Sequence, residues 1–310
     1  MPTQTFTSPE AHVAACQNIN LRMSLVGTRS APWTMSELAL HDVKLQWAQV
    51  GAGNVVEGAV TPGTALIYVP TQNVRVMRMN GRRFDAQTFS LLMPGDELCL
   101  SSTDRHDWFC MAVPQEMLAE WSGIDTPAIP HASRFIELPW ERAEAFRRVV
   151  AQLGSIVQRA PAAFESSLAI ETTARKLMES VRETMFGQPT TTTQPGRHSI
   201  PRRQIIRMVM DSIDQRDREY LTVADLASAA GVSERTLRAA FQEYFGMGPV
   251  RYLRLRTLNL VNKALQNTDP SVTTVTGVAT QFGIWELGRL AHDYQLLFGE
   301  LPSETLRHGR

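Results

Sequence analysis

Arg235, Arg238 and Gln242 are spaced three and four residues apart, so their side chains share one side of an α-helix. An arginine guanidinium pairs with the O6 and N7 atoms of guanine, and a glutamine amide pairs with the edge of adenine. Ala239, between them, is small enough to contact a thymine methyl group. This set predicts a helix that reads base edges in the major groove of double-stranded DNA.

A second set of the same kind occurs further along the chain. Arg289 and His292 are again three residues apart, and Gly288 precedes them. We predict that all three contact bases. The predicted phosphate contacts lie around these two helices and between them: Ser233, Arg251, Arg254, Lys263 and Trp285. An ordinary solvated helix face is the alternative for either set alone, and the occurrence of two sets favours DNA binding.

The elements that would position these side chains repeat along the sequence. Ala227 is followed four residues later by Gly231, and Ala279 is followed four residues later by Gly283. A small residue lets two helices cross closely, and glycine takes a positive φ at the end of the first helix without steric cost. Each second helix then buries one apolar stripe, made of Leu237, Phe241 and Phe245 in the first copy and of Leu290, Tyr294 and Phe298 in the second. The pattern predicts two helix-turn-helix units.

One helix is predicted between the two units, over Pro249–Leu265. At ~1.5 Å per residue it is roughly 25 Å long. Such a rod suits two recognition helices about one DNA turn, roughly 34 Å, apart. Between positions 233 and 263 there are six Lys and Arg residues against two acids, so this stretch favours phosphate.

Two strings carry a resemblance to a known family: ADLASAAGVSERTLRAAFQEYFGMGPVRYLRLRTLNLV (224–261) and GVATQFGIWELGRLAHDYQLLFGELPSETLR (277–307). The segment 221–307 resembles the DNA-binding domain of AraC/XylS transcription regulators. Ile284, Leu290 and His292 depart from the usual Phe, Phe and Arg, and the last of these weakens one expected DNA contact. The resemblance implies seven helices, two recognition helices in successive major grooves, a DNA operator, a homodimer and contact with RNA polymerase.

The chain as a whole predicts an α+β protein of two domains. Residues 1–186 form the regulatory and dimerisation domain, which is rich in β-strands over 17–114 and helical over 139–186. Residues 187–200 form a Pro- and Thr-rich linker, and 201–310 form the DNA-binding domain. Leu38–Val50 is taken as a single strand run, and Asn80-Gly81 predicts a tight hairpin turn. The resemblance extends, more weakly, to a cupin-like β-barrel.

A barrel of this size can hold one small ligand. The predicted inward residues of an effector pocket are Trp47, Tyr68, Arg75, Arg78 and Trp108, with a place in the core or on the surface as the alternative for each. His41, His106 and His131 are isolated and form no His-x-His pair. No catalytic residues, metal or cofactor are therefore predicted, and the sequence contains no P-loop or dinucleotide fingerprint.

Composition bounds these predictions. The 310 residues carry 31 basic and 31 acidic side chains, so DNA binding depends on where the charges lie. The amino terminus has no basic start followed by an apolar run, and no stretch reads as a membrane span. Cys16, Cys99 and Cys110 are far apart, which favours reduced thiols in the cytoplasm.

The sequence therefore predicts a sequence-specific, ligand-responsive transcription regulator, an activator of catabolic or metabolic genes, and not an enzyme. Two alternatives stay open. In the first, the amino-terminal domain only dimerises. In the second, it is a cupin-type enzyme fused to a DNA-binding domain, against which the missing His-x-His speaks.

Overall fold

The computed structural model describes residues 3–28, 30–122, 134–186, 202–216 and 221–308. The predicted linker, 187–200, lies outside the described residues, and so does His131. No helix in these ranges is both long enough and apolar enough to cross a membrane.

The amino-terminal part is built on two antiparallel sheets. In the described ranges the strands are β1 (Gln4–Phe6), β2 (Ile19–Leu25), β3 (Trp33–Leu40), β4 (Val43–Val50), β5 (Asn54–Val60), β6 (Thr64–Gln72), β7 (Met77–Met79), β8 (Arg82–Arg83), β9 (Thr88–Leu92), β10 (Glu97–Ser102), β11 (His106–Pro114) and β12 (Arg134–Glu137). One sheet has the order β1-β3-β4-β11-β6-β9-β12, and the other has the order β2-β5-β10-β7-β8. The predicted barrel is thus corrected: these strands form two facing sheets and do not close into one barrel.

Two hairpins show how local sequence sets the strand ends. The single run expected over Leu38–Val50 is instead the hairpin of β3 and β4, in which Leu40 pairs with Val43. Its two-residue turn, His41-Asp42, holds His41 at φ 55° and contains no glycine or proline. The Asn80-Gly81 turn is confirmed between β7 and β8, where both residues have positive φ, 49° and 83°.

Four helices accompany the sheets within these ranges: α1 (Pro9–Ala15), α2 (Gln115–Ser122), α3 (Trp140–Arg159) and α4 (Ser167–Phe186). A 3₁₀ turn over Pro161–Phe164 joins α3 to α4. Phe146 and Val150 of α3 and Val181 of α4 pack on one face of the seven-stranded sheet. The other face of that sheet meets the five-stranded sheet across a second apolar core.

The described carboxy-terminal ranges contain the seven helices that the resemblance implies: α5 (Arg202–Gln215), α6 (Val223–Ala229), α7 (Glu234–Phe245), α8 (Pro249–Gln266), α9 (Val275–Gln281), α10 (Leu287–Phe298) and α11 (Pro302–His308). The internal repeat is confirmed. α6 and α9 have 7 residues each, and α7 and α10 have 12 residues each. The helix between them, α8, coincides closely with its predicted range.

The turns of both copies obey the same physical rules. Gly231 and Gly283 have φ of 62° and 70° between the paired helices. Thr222 and Asp225 form a capping box at the start of α6, and Ser233 caps α7 by accepting from the Thr236 amide at 3.2 Å. The second copy is one residue longer than the first, and this residue falls in its turn: α7 begins 11 residues after the start of α6, and α10 begins 12 residues after the start of α9.

The five-stranded sheet separates two different environments. Its side chains alternate, so that Leu98 and Leu100 of β10 face the opposite sheet while Cys99 faces the helices of the carboxy-terminal part. Leu25, at the end of β2, likewise joins the apolar core of the second helix-turn-helix unit. One sheet layer therefore lies between the inter-sheet core and both helical cores.

Candidate nucleic-acid interface

The side of α7 that is free of packing carries the predicted base-reading residues. Arg235, Arg238, Ala239 and Gln242 are all exposed. The opposite stripe is buried, because Leu237, Phe241 and Phe245 are each 0% exposed and fill the first helical core. This helix therefore buries its apolar stripe and presents a cationic and polar side to solvent.

The second recognition helix, α10, has the same division. Gly288, Arg289 and His292 are exposed, whereas Leu290 and Tyr294 are buried. At the end of α10, Leu297 is also buried and Phe298 is only half-buried, so these two adjacent residues together occupy the last position of the predicted apolar stripe. The Tyr294 hydroxyl donates to Thr305 Oγ1 of α11 at 2.8 Å and accepts from the Asn262 amide of α8 at 2.6 Å. These bonds fix α10 against the helices on either side.

Acidic neighbours pair with two of the predicted base-reading arginines. Arg238 contacts Glu234 at 2.5 Å, one turn earlier on α7, and Arg289 contacts Glu286 at 3.3 Å. All four side chains are well exposed, so each pair contributes little to stability. The arginines are thus held near their own helices by contacts that an incoming duplex can replace.

A groove of about 560 Å³ lies between the start of α6, the first half of α8 and the start of α10. It brings together Arg254, Trp285 and Arg289, which were predicted from separate parts of the sequence. Trp285 is 77% exposed, in the turn that precedes α10. Arg254 forms an ion pair with Asp293 of α10, so it links the two helices across this groove.

The remaining predicted phosphate contacts do not gather on one surface. Ser233, Arg251 and Lys263 are exposed. Lys263 follows Arg254 by nine residues on α8. At about 100° of rotation per residue, the two side chains are therefore about half a turn apart around the helix axis. Lys263 instead shares its side of α8 with Asn259, which faces the amino-terminal sheet. Arg254 and Lys263 therefore project from opposite sides of α8, and a phosphate contact by Lys263 stays a prediction.

The five-stranded sheet and the loop that follows β2 contact the two helix-turn-helix units near the ends of their recognition helices. Ser101 Oγ of β10 donates to the Tyr244 carbonyl at 2.6 Å, in the last turn of α7. The Thr28 hydroxyl donates to the Leu296 carbonyl in the last turn of α10. These joints are at the carboxyl ends, so Arg235 and Arg289, near the amino ends, stay uncovered.

A polar cluster lies at the same interface. Arg22 of β2 forms a two-pronged ion pair with Asp214 of α5, at 2.8 and 2.7 Å. Next to it, burial raises the pKa of the Glu57 carboxyl to about 7, while Arg22 and Arg256 oppose that rise. The interface thus contains a carboxyl group that titrates near neutral pH.

The structure divides the predicted effector residues. Tyr68 and Trp108 line a cavity of about 70 Å³ between the two sheets. Trp47 does not, because it faces α3 and donates from Nε1 to the Val150 carbonyl at 3.0 Å. Arg75 is exposed on a 3₁₀ turn, and Arg78 points at α7, where its guanidinium would lie 2.7 Å from a Cβ at Gly246. The prediction that these three residues point inward was wrong.

Several site residues were missed from the sequence. On β4 the strand period points Gln46 and Val50 into the cavity and Trp47 away from it, so the alternation held the necessary signal. His12 and His106 also line the cavity, although they are far apart in sequence. Asp293 resembled any acid on a helix surface, and no pattern in the sequence marked it as the partner of Arg254.

The comparisons with known proteins concern mainly the helical part. Residues 226–308 match the family model described as a helix-turn-helix domain. The probable thc operon regulatory protein of Rhodococcus erythropolis is 37% identical over 103 residues, which are 33% of this chain and 31% of that protein. The XylDLEGF operon transcriptional activator 2 of Pseudomonas putida is 36% identical over 98 residues, 32% of this chain and 62% of that protein. The matched segment thus spans less than two thirds of either relative.

Two solved structures are similar to this chain. A probable AraC family transcriptional regulator from Rhodopseudomonas palustris is 33% identical and covers 34% of this chain and 98% of its own, with a TM-score of 0.31. The AraC-like transcriptional activator CuxR is 13% identical and covers 83% of this chain and 93% of its own, with a TM-score of 0.42.

The two paired helices joined by α8 define a tandem helix-turn-helix domain of the kind that binds DNA. Together with the family match and the sequence relatives, they identify the carboxy-terminal segment as a helix-turn-helix domain of the AraC type.

Proposed function

We propose that this chain is a sequence-specific DNA-binding transcription regulator that controls a catabolic or metabolic operon as an activator. The observation that carries the proposal is the repeated geometry of α7 and α10, each with a buried apolar stripe and an exposed polar side. The names of the two sequence relatives, both regulators of operons, support the same function.

In this proposal α7 reads bases through Arg235, Arg238, Ala239 and Gln242, and α10 does so through Gly288, Arg289 and His292. The groove between α8 and α10 receives the intervening DNA backbone, with Trp285 at its edge. Ser233 and Arg251 contact phosphates beside the first unit. The exposed positions of all these residues support the assignment.

The division into domains at 1–186, 187–200 and 201–310 belongs to the proposal, as does a cupin-like origin of the two facing sheets. The amino-terminal part holds an effector and dimerises. Val149, Ile156 and Leu168 are exposed apolar residues on α3 and α4, and they support a dimer contact on those helices. Contact with RNA polymerase completes the role of an activator.

The signal from effector to DNA passes through the five-stranded sheet. This sheet has the cavity on one side and the end of α7 on the other, and the loop after β2 contacts the end of α10, so a change on the inner face of the sheet reaches both recognition helices. An effector acts by favouring one of two arrangements of these helices.

The test is DNA binding by the full chain, on an operator found by selection from a random duplex library. Replacing Arg235 or Arg238 with alanine should weaken binding to that operator by about 1–3 kcal/mol and relax discrimination at one position. Arg75→Ala is the matched control because it removes the same charge from an exposed position outside the recognition helices and outside the dimer contact proposed on α3 and α4. Unchanged discrimination in both α7 variants would reject base reading by this helix, and no binding to any duplex at low salt would reject the function.

A further inference from the structure

The cavity between the two sheets is lined mainly by apolar side chains. Its lining is mainly aliphatic, with Met23, Met79, Leu98 and Leu100 from the five-stranded sheet and Trp108 from the opposite one. Among the residues that the structure describes, no lysine, arginine or acidic residue lines it. A charged ligand would therefore lose its hydration without gaining a partner of opposite charge.

Three polar side chains along this cavity have buried atoms without a hydrogen-bond partner. The atoms without a partner are both ring nitrogens of His12, the hydroxyl oxygen of Tyr68 and the amide oxygen of Asn54. His12 is 1% exposed and Tyr68 is 8% exposed. A buried polar group without a partner destabilises the folded state, and native proteins rarely tolerate several in one place. Their clustering around a cavity indicates that something other than the chain completes their hydrogen bonds.

The aromatic rings of this region restrict the shape of such a molecule. His12 lies edge-on to Trp33 and Trp108, with ring centroids at 5.5 and 6.5 Å, and Tyr68 lies 6.0 Å from Trp108. The free volume is about 70 Å³, which is roughly half that of a 150 Å³ cavity known to bind benzene. A few heavy atoms fit as the cavity stands, and a single ring fits once the methionine side chains on the wall repack.

Both histidines of the cavity are neutral at pH 7, because burial lowers the pKa of His12 and of His106 to about 4. His12 thus offers one donor and one acceptor, and Tyr68 offers a hydroxyl. These neutral groups favour a ligand whose hydrogen-bonding group is also neutral, because the cavity offers no opposite charge that would stabilise an ion.

We propose that the inter-sheet cavity binds a small, uncharged and mainly apolar molecule with one hydroxyl or carbonyl group, whose hydrogen bonds come from Tyr68 and His12. This deepens the proposed function, on which it rests for the role of the ligand as an effector. The binding itself needs no DNA and is measured separately from it.

The experiment is a calorimetric titration and a thermal-shift series on the full chain without DNA. The probes are 1-butanol and phenol, each matched with an anion of similar shape, butanoate and benzenesulfonate. We expect saturable binding and a raised midpoint of thermal unfolding with at least one neutral probe, and no binding of its anion. Absence of binding by both neutral probes, or equal binding of the anions, would overturn the proposal.

Two substitutions locate the site. Tyr68→Phe keeps the ring and removes the hydroxyl, so it should lower the affinity for the alcohol about threefold to tenfold. Ser90→Ala is the matched control, because Ser90 Oγ is also buried without a partner but does not line the cavity, and binding should stay unchanged. Val56→Ile adds one methylene to the cavity wall and should also weaken binding. If neither Tyr68→Phe nor Val56→Ile changes the affinity, the ligand binds elsewhere and the proposal is overturned.

The same preparations are then tested for DNA binding with and without the neutral probe. If the chain binds DNA but neither neutral probe, only the ligand inference is contradicted. Ligand binding in a chain that ignores every duplex contradicts the regulator and leaves the ligand class standing.

Discussion

Asn259, in the middle of α8, pairs with both backbone groups of Leu25 at the end of β2. Its Oδ1 accepts from the Leu25 amide at 3.0 Å, and its Nδ2 donates to the Leu25 carbonyl at 2.9 Å. The side-chain amide thus takes the place of a neighbouring strand. The helix that spaces the two recognition helices is in this way fastened to the wall of the cavity.

Asn259→Ala should loosen this joint. The Leu25 amide and carbonyl lose their partner, and we expect a loss of about 1–3 kcal/mol in the free energy of unfolding. Chemical denaturation and hydrogen exchange at the Leu25 amide measure the change. Asn267→Ala is the control, because that exposed asparagine bonds only within its own helix end. Equal exchange at Leu25 in the two variants would show that the pairing does not hold the sheet to α8.

Glu234→Gln should strengthen operator binding. It frees Arg238 from its ion pair and removes a negative charge beside the proposed DNA surface. We expect affinity to rise about twofold to fivefold at low salt, with the difference shrinking as salt screens the charge. Fluorescence anisotropy over a salt series measures this. Glu171→Gln makes the same charge change on α4, and an equal gain there would mean that only net charge matters.

Arg254→Ala and Lys263→Ala should differ, since these side chains project from opposite sides of α8. Arg254 borders the groove and pairs with Asp293, so its loss both removes a cation and frees α10. We expect Arg254→Ala to weaken binding and to reduce the slope of log affinity against log salt by about 0.9, the value for one phosphate contact. Lys263→Ala should leave that slope nearly unchanged. A fall of equal size in both would show that Lys263 contacts a phosphate as Arg254 does.

Stability should depend on pH through Glu57. Its folded pKa of about 7 lies above the ordinary value of 4.5, so the folded state holds this proton more tightly than the unfolded state. The contribution of Glu57 is therefore complete below about pH 4.5 and is lost as pH rises towards 7. Glu57→Gln should remove this loss, so the variant gains stability relative to the parent by about 1–3 kcal/mol as pH rises from 4.5 to 7.5. Parallel stability curves for the two proteins would contradict it.

The buried histidines act in the opposite direction, which is why the difference between parent and variant is measured. The pKa of His12 and of His106 is lowered to about 4, so their contribution is present above about pH 6.5 and is lost as pH falls towards 4. These residues are common to both proteins, and their contribution cancels in the difference.

Local chemistry in the sequence determined the carboxy-terminal part. The 3.6-residue period placed Leu237 and Phe241 inside and Arg235 and Arg238 outside, and glycine at Gly231 and Gly283 marked where each pair of helices turns. Such features depend on neighbours within a few residues, and each one repeats, so the helices and their free sides were predictable. The Asn80-Gly81 turn was predictable for the same reason.

Only the tertiary structure decided how the parts meet. The sheets do not close into a barrel, Trp47 and Arg78 face helices instead of the cavity, and Arg254 pairs with Asp293 while Lys263 points away. These outcomes depend on which faces pack together. The seven-stranded sheet packs on both faces, so the strand period shows which residues share a face but not which neighbour that face meets. The pairing of Asn259 with Leu25 joins residues far apart in the chain, and a local pattern does not determine contacts that only the packing of whole elements creates.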